Sequence, residues 1–265
     1  MAGEHNHHPH LSASALGGLP EVRPGDDLGE LIVAALRERR PSRSPRDGQI
    51  IVVAHKIVSK AEGAVVALDE IEPSQRAREL AAAQGKDPCA VQVVLDQSTE
   101  ILRAERGVLI CRTPHGFVCA NAGVDASNVS TVGATDTLVV LPRDPDASAR
   151  SLRARLHELT GATVAVLIAD SFGRAWRHGQ CDVALGCAGM TPLDDWRGRT
   201  DAAGLRLRAT WLAVADAAAA TADLARAKDS REPVVLIDGL ERFVTLEDGP
   251  GAAALVRPLA EDMFR

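Results

Sequence analysis

The sequence predicts an α+β (mixed α/β) protein whose sheet has antiparallel portions. Short apolar runs of strand length alternate with stretches of helical apolar spacing along most of the 265 residues. The segment Thr113-Pro114-His115-Gly116 lies between two strand-like runs, which is the pattern of a hairpin turn. Hydrophobic residues make up 46% of the chain and charged residues 25%, and both values are typical of a globular protein.

Helices are predicted where apolar residues recur every three or four positions and where capping residues mark the ends. The first follows a stretch that Pro20 and Pro24 keep extended, and Asp26 or Asp27 is placed to cap it. Glycines at positions 85 and 161 are placed to end two later helices. The first predicted helix begins at residue 26 or 27. The three later helices are predicted over residues 74–84, 146–160 and 216–228.

Strands are predicted from apolar runs, of which Ile50–Ala54 is the clearest because it suits burial on both faces. The two arms of the hairpin carry Cys111 and Cys119, which could face each other. Residues 1–14 contain four histidines and no apolar periodicity, so we expect a disordered tail followed by a single domain over residues 15–265. The predicted strands are residues 50–54, 107–112, 117–120, 137–141, 163–169, 205–213 and 233–237.

The composition argues against several classes of protein. A net charge of −6 disfavours wide contact with nucleic acid, which relies on clustered cations. No apolar run approaches the roughly 20 residues that span a bilayer, and the N-terminus lacks the pattern of a secretory signal, so we expect a cytoplasmic protein without membrane contact. The five cysteines are irregularly spaced and form no Cys-x-x-Cys pair, which indicates reduced thiols and no structural zinc site.

Two aspartates are the best candidates for a metal site. Asp125 and Asp170 each follow an apolar run and stand beside small polar residues, and the hydroxyl of Ser171 offers a further oxygen ligand. Hard divalent cations such as Mg²⁺ bind oxygen ligands of this kind and can hold phosphate. An alternative is that Asp125 caps a turn and Asp170 caps a helix. The spacing alone leaves both interpretations open.

Cationic and amide side chains supply candidate phosphate and substrate contacts. Only four of the 30 basic residues are lysines, and two of them, Lys56 and Lys60, follow one strand together with His55 and Ser59. A phosphate site and a solvated loop are equally compatible with this segment. Asn128 could contact a nucleotide, although its residue type favours a simple turn.

Further polar residues follow Asp170. Arg174 and Arg177 suit an anionic substrate because guanidinium groups bind phosphate or carboxylate in a planar fork, and Trp176 could stack on a ring or fill the core. The chain contains neither a Gly-x-x-x-x-Gly-Lys-Ser/Thr loop nor a Gly-x-Gly-x-x-Gly turn. A nucleotide site would therefore be assembled from dispersed parts.

Three blocks of sequence, in the same order, resemble the coenzyme F420-0:L-glutamate ligase family, the γ-glutamyl ligases of deazaflavin biosynthesis. The blocks are residues 53–63, VAHKIVSKAEG, residues 115–129, HGFVCANAGVDASNV, and residues 170–177, DSFGRAWR. The likeness extends from about Leu19 to Leu240. It implies a two-lobed α+β protomer with a mixed sheet, assembled into an intertwined homodimer.

The resemblance also implies an activity. Members join L-glutamate to the carboxylate of coenzyme F420-0 and use GTP, through an acyl phosphate, with release of GDP and phosphate. Mg²⁺ or Mn²⁺, as one ion or two, stabilises the transferring phosphoryl group, and K⁺ is a further candidate ion. A metal-dependent phosphatase or nucleotidase, and a GTP-binding subunit without catalysis, are the alternative functions.

The family's functional residues carry over position by position. The resemblance implies metal ligands at Asp125 and Asp170, with Ser171 where threonine is frequent. It implies GTP contacts at His55, Lys60 and Asn128 and in the segment Leu19, Pro20, Glu21 and Val22. We expect Asp125, Asp170 and Lys60 to be the catalytic residues, and Arg174 and Arg177, from their residue type, to contact the substrate.

The chain departs from the family's pattern in two respects. Ala217 stands where many relatives have a glutamate, so a second cation would be bound weakly or would use Asp216 instead. Some relatives carry a C-terminal, FMN-binding nitroreductase-like domain, and we expect none in this chain, which ends at Arg265.

Overall fold

The computed structural model describes residues 10–39, 44–125 and 137–262. Over these ranges the strands are β1 (Ser12–Leu16), β2 (Ile50–Ala54), β3 (Val65–Ala67), β4 (Glu100–Glu105), β5 (Val108–Arg112), β6 (Val118–Ala120), β7 (Thr137–Val139), β8 (Ala165–Arg174), β9 (Arg177–Ala188), β10 (Leu193–Asp195), β11 (Trp211–Ala213) and β12 (Val234–Asp238). The α-helices are α1 (Leu28–Arg39), α2 (His55–Ala61), α3 (Gln75–Gln84), α4 (Pro88–Asp96), α5 (Pro145–Thr160) and α6 (Val214–Ala225). No helix of the described ranges is both long and apolar enough to cross a bilayer.

The largest sheet has five strands in the order β1-β12-β2-β8-β9. Strands β2 and β8 are parallel, and the other neighbouring pairs are antiparallel. This mixture of helices with parallel and antiparallel strands confirms the predicted α+β class. Residues 50–53 are fully buried, as the apolar run predicts, because the central strand β2 is covered on both faces.

Helices cover the two faces of this sheet. On one face, Ile51 and Ile168 pack with residues of α1 and α5 in a single apolar cluster. On the other face, Ile50 and Leu167 pack against α6, whose inward positions are mostly alanine. Small side chains let α6 lie close to the sheet, and Ala219 is completely buried there.

A smaller antiparallel sheet, β4-β5-β6, packs against α3 and α4. The predicted hairpin is confirmed as β5 and β6, and Cys111 lies directly opposite Cys119 in their register. Both predicted ends of α3 are also confirmed: the Ser74 side chain accepts a hydrogen bond from the Ala77 amide at 3.2 Å, and Gly85 has the left-handed conformation. Strands β3 and β7 form a two-stranded sheet.

Two predictions of local structure need correction, and one of the two alternatives left open for the segment after β2 is wrong. The predicted tail is too long, because Ser12–Leu16 pairs with β12; residues 1–9 lie outside the described ranges. Only Trp211–Ala213 of the strand predicted over residues 205–213 is a strand. The segment after β2 is not a solvated loop but the short helix α2, which begins at the residue that follows the strand.

Gly186 provides a test of the packing between β9 and α5. A Cβ atom at this position would lie 2.2 Å from the backbone carbonyl of Pro145, where α5 begins. We therefore expect Gly186→Ala to lower the free energy of unfolding by about 2–3 kcal/mol, because the contact is with backbone that cannot turn aside.

The matched control is Gly173→Ala in β8, where a Cβ atom would meet nothing within 4 Å. We expect this change to alter the free energy of unfolding by no more than about 1 kcal/mol. Urea unfolding followed by far-UV circular dichroism measures both variants. Equal midpoints for the two variants would contradict the close approach of β9 to α5.

Candidate active site

The parallel pairing of β2 with β8 brings two of the predicted site residues together. Ala54 lies opposite Ala169 in the register. The residues that follow them, His55 and Asp170, therefore lie side by side at the carboxyl ends of the paired segments. His55 Nε2 lies 3.4 Å from Asp170 Oδ1. The histidine is almost fully buried, whereas the Asp170 side chain is 21% exposed. The buried imidazole therefore supports a carboxylate that solvent or a ligand can reach.

Helix α2 places its four polar residues on two sides. His55 and Ser59 are one helical turn apart and both are buried, with His55 Nδ1 and Ser59 Oγ separated by 3.5 Å. Lys56 and Lys60 are also one turn apart and are partly exposed. The helix thus buries an imidazole and a hydroxyl and presents two ammonium groups.

Lys56 connects α2 to the second aspartate. Its Nζ lies 2.6 Å from Asp125 Oδ2. The backbone of Asp125 is fixed by two hydrogen bonds with Val139, of 3.0 and 2.9 Å, at the end of β7. Because His55 and Lys56 are consecutive, the first turn of α2 contacts both Asp170 and Asp125. The structure therefore brings the two predicted metal ligands to one end of this helix.

Lys60 connects α2 to the predicted N-terminal segment. Its ammonium group forms an ion pair with the Glu21 carboxylate, and only 12% of its side chain is exposed. Val22 is buried in the core beside α1, and the Gly25 amide donates to the Ala61 carbonyl at the end of α2. Residues 19–22 therefore lie against the lysine-bearing side of α2, as a shared site would require.

Ser171 does not lie with Asp170. Successive residues of a strand point to opposite faces, and the Ser171 hydroxyl donates to Asp182 Oδ1 at 2.5 Å on the α6 side of the sheet. Lys228 Nζ donates to the same hydroxyl at 2.8 Å. The structure thus separates Ser171 from the Asp170 carboxylate that it was predicted to assist.

The predicted substrate arginines are also away from this centre. Arg174 and Arg177 are exposed and pair across the turn that joins β8 to β9. Arg174 is four strand residues from Asp170, or about 13 Å along the strand. Trp176 is 81% exposed at the tip, so it does not fill the core. Asn128 lies outside the described residues.

Sequence reasoning missed a buried ion pair behind the site. The Asp182 carboxylate is fully buried and accepts a hydrogen bond of 2.5 Å from Arg226 Nη2. Arg226 also donates to the Pro233 carbonyl at 3.3 Å, and that carbonyl accepts from the Ala54 amide at 2.8 Å. These contacts hold the ends of β2 and β8, next to His55 and Asp170. The one sequence sign was an aspartate within the otherwise apolar half of β9.

The carboxylates beside the first turn of α2 suit a divalent cation. Among the residues that the structure describes, no three His, Cys, Asp or Glu side chains form a ready-made ligand cluster. The buried Nε2 atom of His55 has no hydrogen-bond partner, although it faces the Asp170 carboxylate. The two carboxylates supply the oxygen ligands that Mg²⁺ and Mn²⁺ prefer, and the imidazole nitrogen lies beside one of them.

The thiol of Cys119 is not a competing reactive group. Burial, together with the nearby Asp170 carboxylate and Cys111 thiol, raises its pKa to about 12. A thiol with such a pKa stays protonated near neutral pH, and it is the thiolate that binds metals and attacks electrophiles. The chemistry at this site therefore belongs to oxygen and nitrogen donors.

The buried pair Asp182–Arg226 can be tested by its stability. We expect Asp182→Asn to lower the free energy of unfolding by about 3–5 kcal/mol, because it leaves the Arg226 cation buried without its charged partner. The double variant Asp182→Asn, Arg226→Met should lose less than the sum of the single changes. Denaturant unfolding of the three variants gives these values.

The exposed pair Asp195–Arg197, whose closest atoms are 2.7 Å apart, is the matched control. Removal of Asp195 should cost about 1 kcal/mol or less, because solvent screens an exposed ion pair. If Asp182→Asn were as mild as Asp195→Asn, the buried pair would not hold these strand ends.

Comparison with known proteins identifies the family. The model of the F420-0:Gamma-glutamyl ligase family matches residues 18–239. The chain is 44% identical over 256 residues to the coenzyme F420:L-glutamate ligase of Methanothermobacter thermautotrophicus, covering 96% of this chain and 99% of the relative. It is 42% identical over 263 residues to the protein of the same name from Methanopyrus kandleri, covering 94% and 100%. The predicted family is therefore confirmed: this chain belongs to the F420-0:γ-glutamyl ligases, enzymes that form C–N bonds.

Proposed function

We propose that this protein joins L-glutamate to the carboxylate of coenzyme F420-0 and uses GTP to activate that carboxylate. The observation that carries the proposal is the first turn of α2, where consecutive residues contact Asp170 and Asp125. Family membership supplies the reaction class, and the relatives' name mentions the coenzyme and glutamate but not the nucleotide. The cations and carboxylates of the site support a triphosphate as the activating reagent.

The proposed reaction has two displacements. An oxygen of the F420-0 carboxylate forms a bond to the γ-phosphorus of GTP while the bond to GDP breaks. The glutamate nitrogen then forms a bond to the acyl carbon while the acyl–phosphate bond breaks, and the nitrogen gives up its proton. The products are an amide, GDP and phosphate. The protein contributes mainly by holding the reactants and by offsetting charge.

Asp125 and Asp170 would hold a divalent cation, with the Nε2 atom of His55 beside Asp170. A bound Mg²⁺ or Mn²⁺ would supply positive charge for the transferring phosphoryl group. Ser171 is not part of this proposal, because its hydroxyl donates to Asp182 on the opposite face of β8. The burial of His55 keeps its ring in one orientation toward Asp170.

Lys56 and Lys60 would contact the triphosphate. In the structure their ammonium groups are paired with Asp125 and with Glu21, so phosphate oxygens would compete with carboxylates for the same cations. Residues 19–22 lie beside Lys60 and would form one wall of the nucleotide site. Homodimer assembly and a requirement for K⁺ are implied by the family resemblance and stay predictions.

A product assay tests the proposal. The purified protein is incubated with F420-0, L-glutamate, GTP and Mn²⁺ or Mg²⁺, and GDP and the glutamylated coenzyme are measured by chromatography and mass spectrometry. Joint formation of both products supports the ligase. GTP hydrolysis that is independent of glutamate and F420-0 would instead indicate a phosphohydrolase, and GTP binding without any turnover would indicate an inactive subunit.

Removal of either aspartate should abolish most of this activity. We expect Asp125→Asn and Asp170→Asn each to lower kcat/KM by about 100-fold or more, because each change removes a charged cation ligand. Binding of Mn²⁺, followed by electron paramagnetic resonance, should weaken in parallel. Asp69→Asn, a change at an exposed aspartate on a surface turn, is the control and should retain full activity and Mn²⁺ affinity. Unaltered Mn²⁺ binding in both site variants would rule out the proposed ligands.

Lys60 should act on nucleotide affinity. We expect Lys60→Ala to raise KM for GTP by about tenfold with a smaller effect on KM for glutamate, because a charge-assisted phosphate contact is lost. Lys86→Ala is the control, since Lys86 follows α3 beside the smaller sheet. Steady-state kinetics with each substrate varied in turn gives both constants. Equal KM values for GTP in the two variants would place the triphosphate elsewhere.

A further inference from the structure

A cleft of about 300 Å³ lies beside the candidate active site. Its walls are the hairpin arm 116–118, Phe172 of β8, the middle of β9, the first turn of α6 and the C-terminal segment 252–262. The side chains that characterise it are Phe117, Val118, Phe172, Asp216, Val256 and Arg257. None of these residues belongs to the proposed cation and triphosphate site.

We propose that this cleft binds the flat deazaflavin ring of the acceptor and that Arg257 faces the acceptor's anionic tail. The inference rests on the proposed function for the identity of the acceptor. It deepens that function by assigning a subsite to one of the three reactants.

The walls of the cleft are suited to an aromatic ring. The chain has only four phenylalanines, three tryptophans and no tyrosine, yet two of the phenylalanines line this one cleft. The rings of Phe117 and Phe172 meet edge to face with centroids 6.2 Å apart, and both residues are only partly buried. His115 stacks behind Phe117 at 5.4 Å and fixes its ring. Partly exposed aromatic rings on a concave wall favour a flat apolar partner.

The position of the cleft suits a reacting substrate. Phe172 is two residues beyond Asp170 on β8, so the two side chains lie on the same face of the strand. Val183, another lining residue, is the register partner of Asp170. Strand β6, which supplies Val118, packs against β8. If the ring of the acceptor lies in the cleft, its tail can therefore reach Asp170, which we place in the phosphoryl-transfer site.

The polar groups of the cleft match the remainder of the acceptor. Arg257 is exposed at the rim and can bind a phosphodiester or a carboxylate through its planar fork. The Asp216 Oδ1 atom accepts a hydrogen bond from the Ala184 amide at 2.9 Å, which fixes this side chain in the wall of the cleft. Asp262 completes the polar lining. A volume at the lower end of the usual range for ligand sites suits the ring alone, with the tail extending past Arg257.

Direct binding of F420-0 tests the inference without relying on catalysis. The coenzyme's own fluorescence is titrated with the full-length protein, without GTP, for the wild type and for Phe117→Ala, Phe172→Ala and Arg257→Gln. We expect the Kd for F420-0 to rise at least about fivefold in each phenylalanine variant and about tenfold in Arg257→Gln, with the KM for GTP changed less than twofold. Arg257→Lys should recover part of the affinity.

Trp211→Ala is the matched control, because Trp211 is a half-exposed aromatic residue whose ring lies under the Arg197 guanidinium, away from the cleft lining. Its Kd for F420-0 should equal that of the wild type. Thermal unfolding shows whether each variant is folded, and Arg257→Gln, at an exposed position, tests the cleft even if a phenylalanine variant unfolds.

The outcomes separate this inference from the proposed function. A wild type that forms no amide but binds F420-0 in a manner sensitive to these substitutions supports the cleft and contradicts the ligase. A wild type that forms the amide, with unchanged F420-0 affinity in every cleft variant, supports the ligase and overturns the cleft. Weaker binding of GTP in place of F420-0 would also overturn it, since the cleft would then hold the guanine ring. A wild type that does not bind F420-0 overturns it as well.

Discussion

The parallel ladder between β2 and β8 is the constraint on which the site depends. Residues 50–53 of β2 and residues 165–169 of β8 are buried, so the register of these strands cannot slip without moving apolar side chains out of the core. The rung Ala54–Ala169 therefore determines where His55 and Asp170 emerge. From that point β2 turns directly into α2, and its first two residues reach the two aspartates. Residues 115 positions apart in the chain become neighbours by backbone pairing alone.

The fold could be predicted where a local pattern decides the structure. The caps of α3 and the apolar run of β2 are local, and both predictions are confirmed. Strand β1 could not be recognised, because its alternating serine and alanine residues carry little apolar signal and its stability comes from pairing with β12, more than 200 residues away. Helix α2 was missed for a related reason: it has seven residues, two of them lysines, and depends on tertiary packing.

The types of residue in the site could be predicted from the sequence, but the faces of the strands on which their side chains lie could not. We expected Ser171 to assist Asp170 because we assumed that the strand ends with the apolar run 163–169 and that a loop follows it. Strand β8 instead continues to Arg174, so the alternation of the strand sends neighbouring side chains to opposite faces. Sequence reasoning likewise had no means of finding Asp182 and Arg226, because a buried ion pair is defined by two residues 44 positions apart that meet only in the fold.

The charges on α2 show how such a site can be stable before a ligand binds. Lys60 is largely buried, and a buried ammonium group is costly unless a carboxylate lies beside it. Glu21 fills this role for Lys60, and Asp125 does so for Lys56. When a triphosphate displaces these carboxylates, its binding free energy is only the difference between the old and the new ion pairs. Its affinity therefore also depends on positive charge that neutralises the released carboxylates. A cation at Asp125 would meet that need, and binding of the nucleotide and of the cation would then be coupled through Lys56.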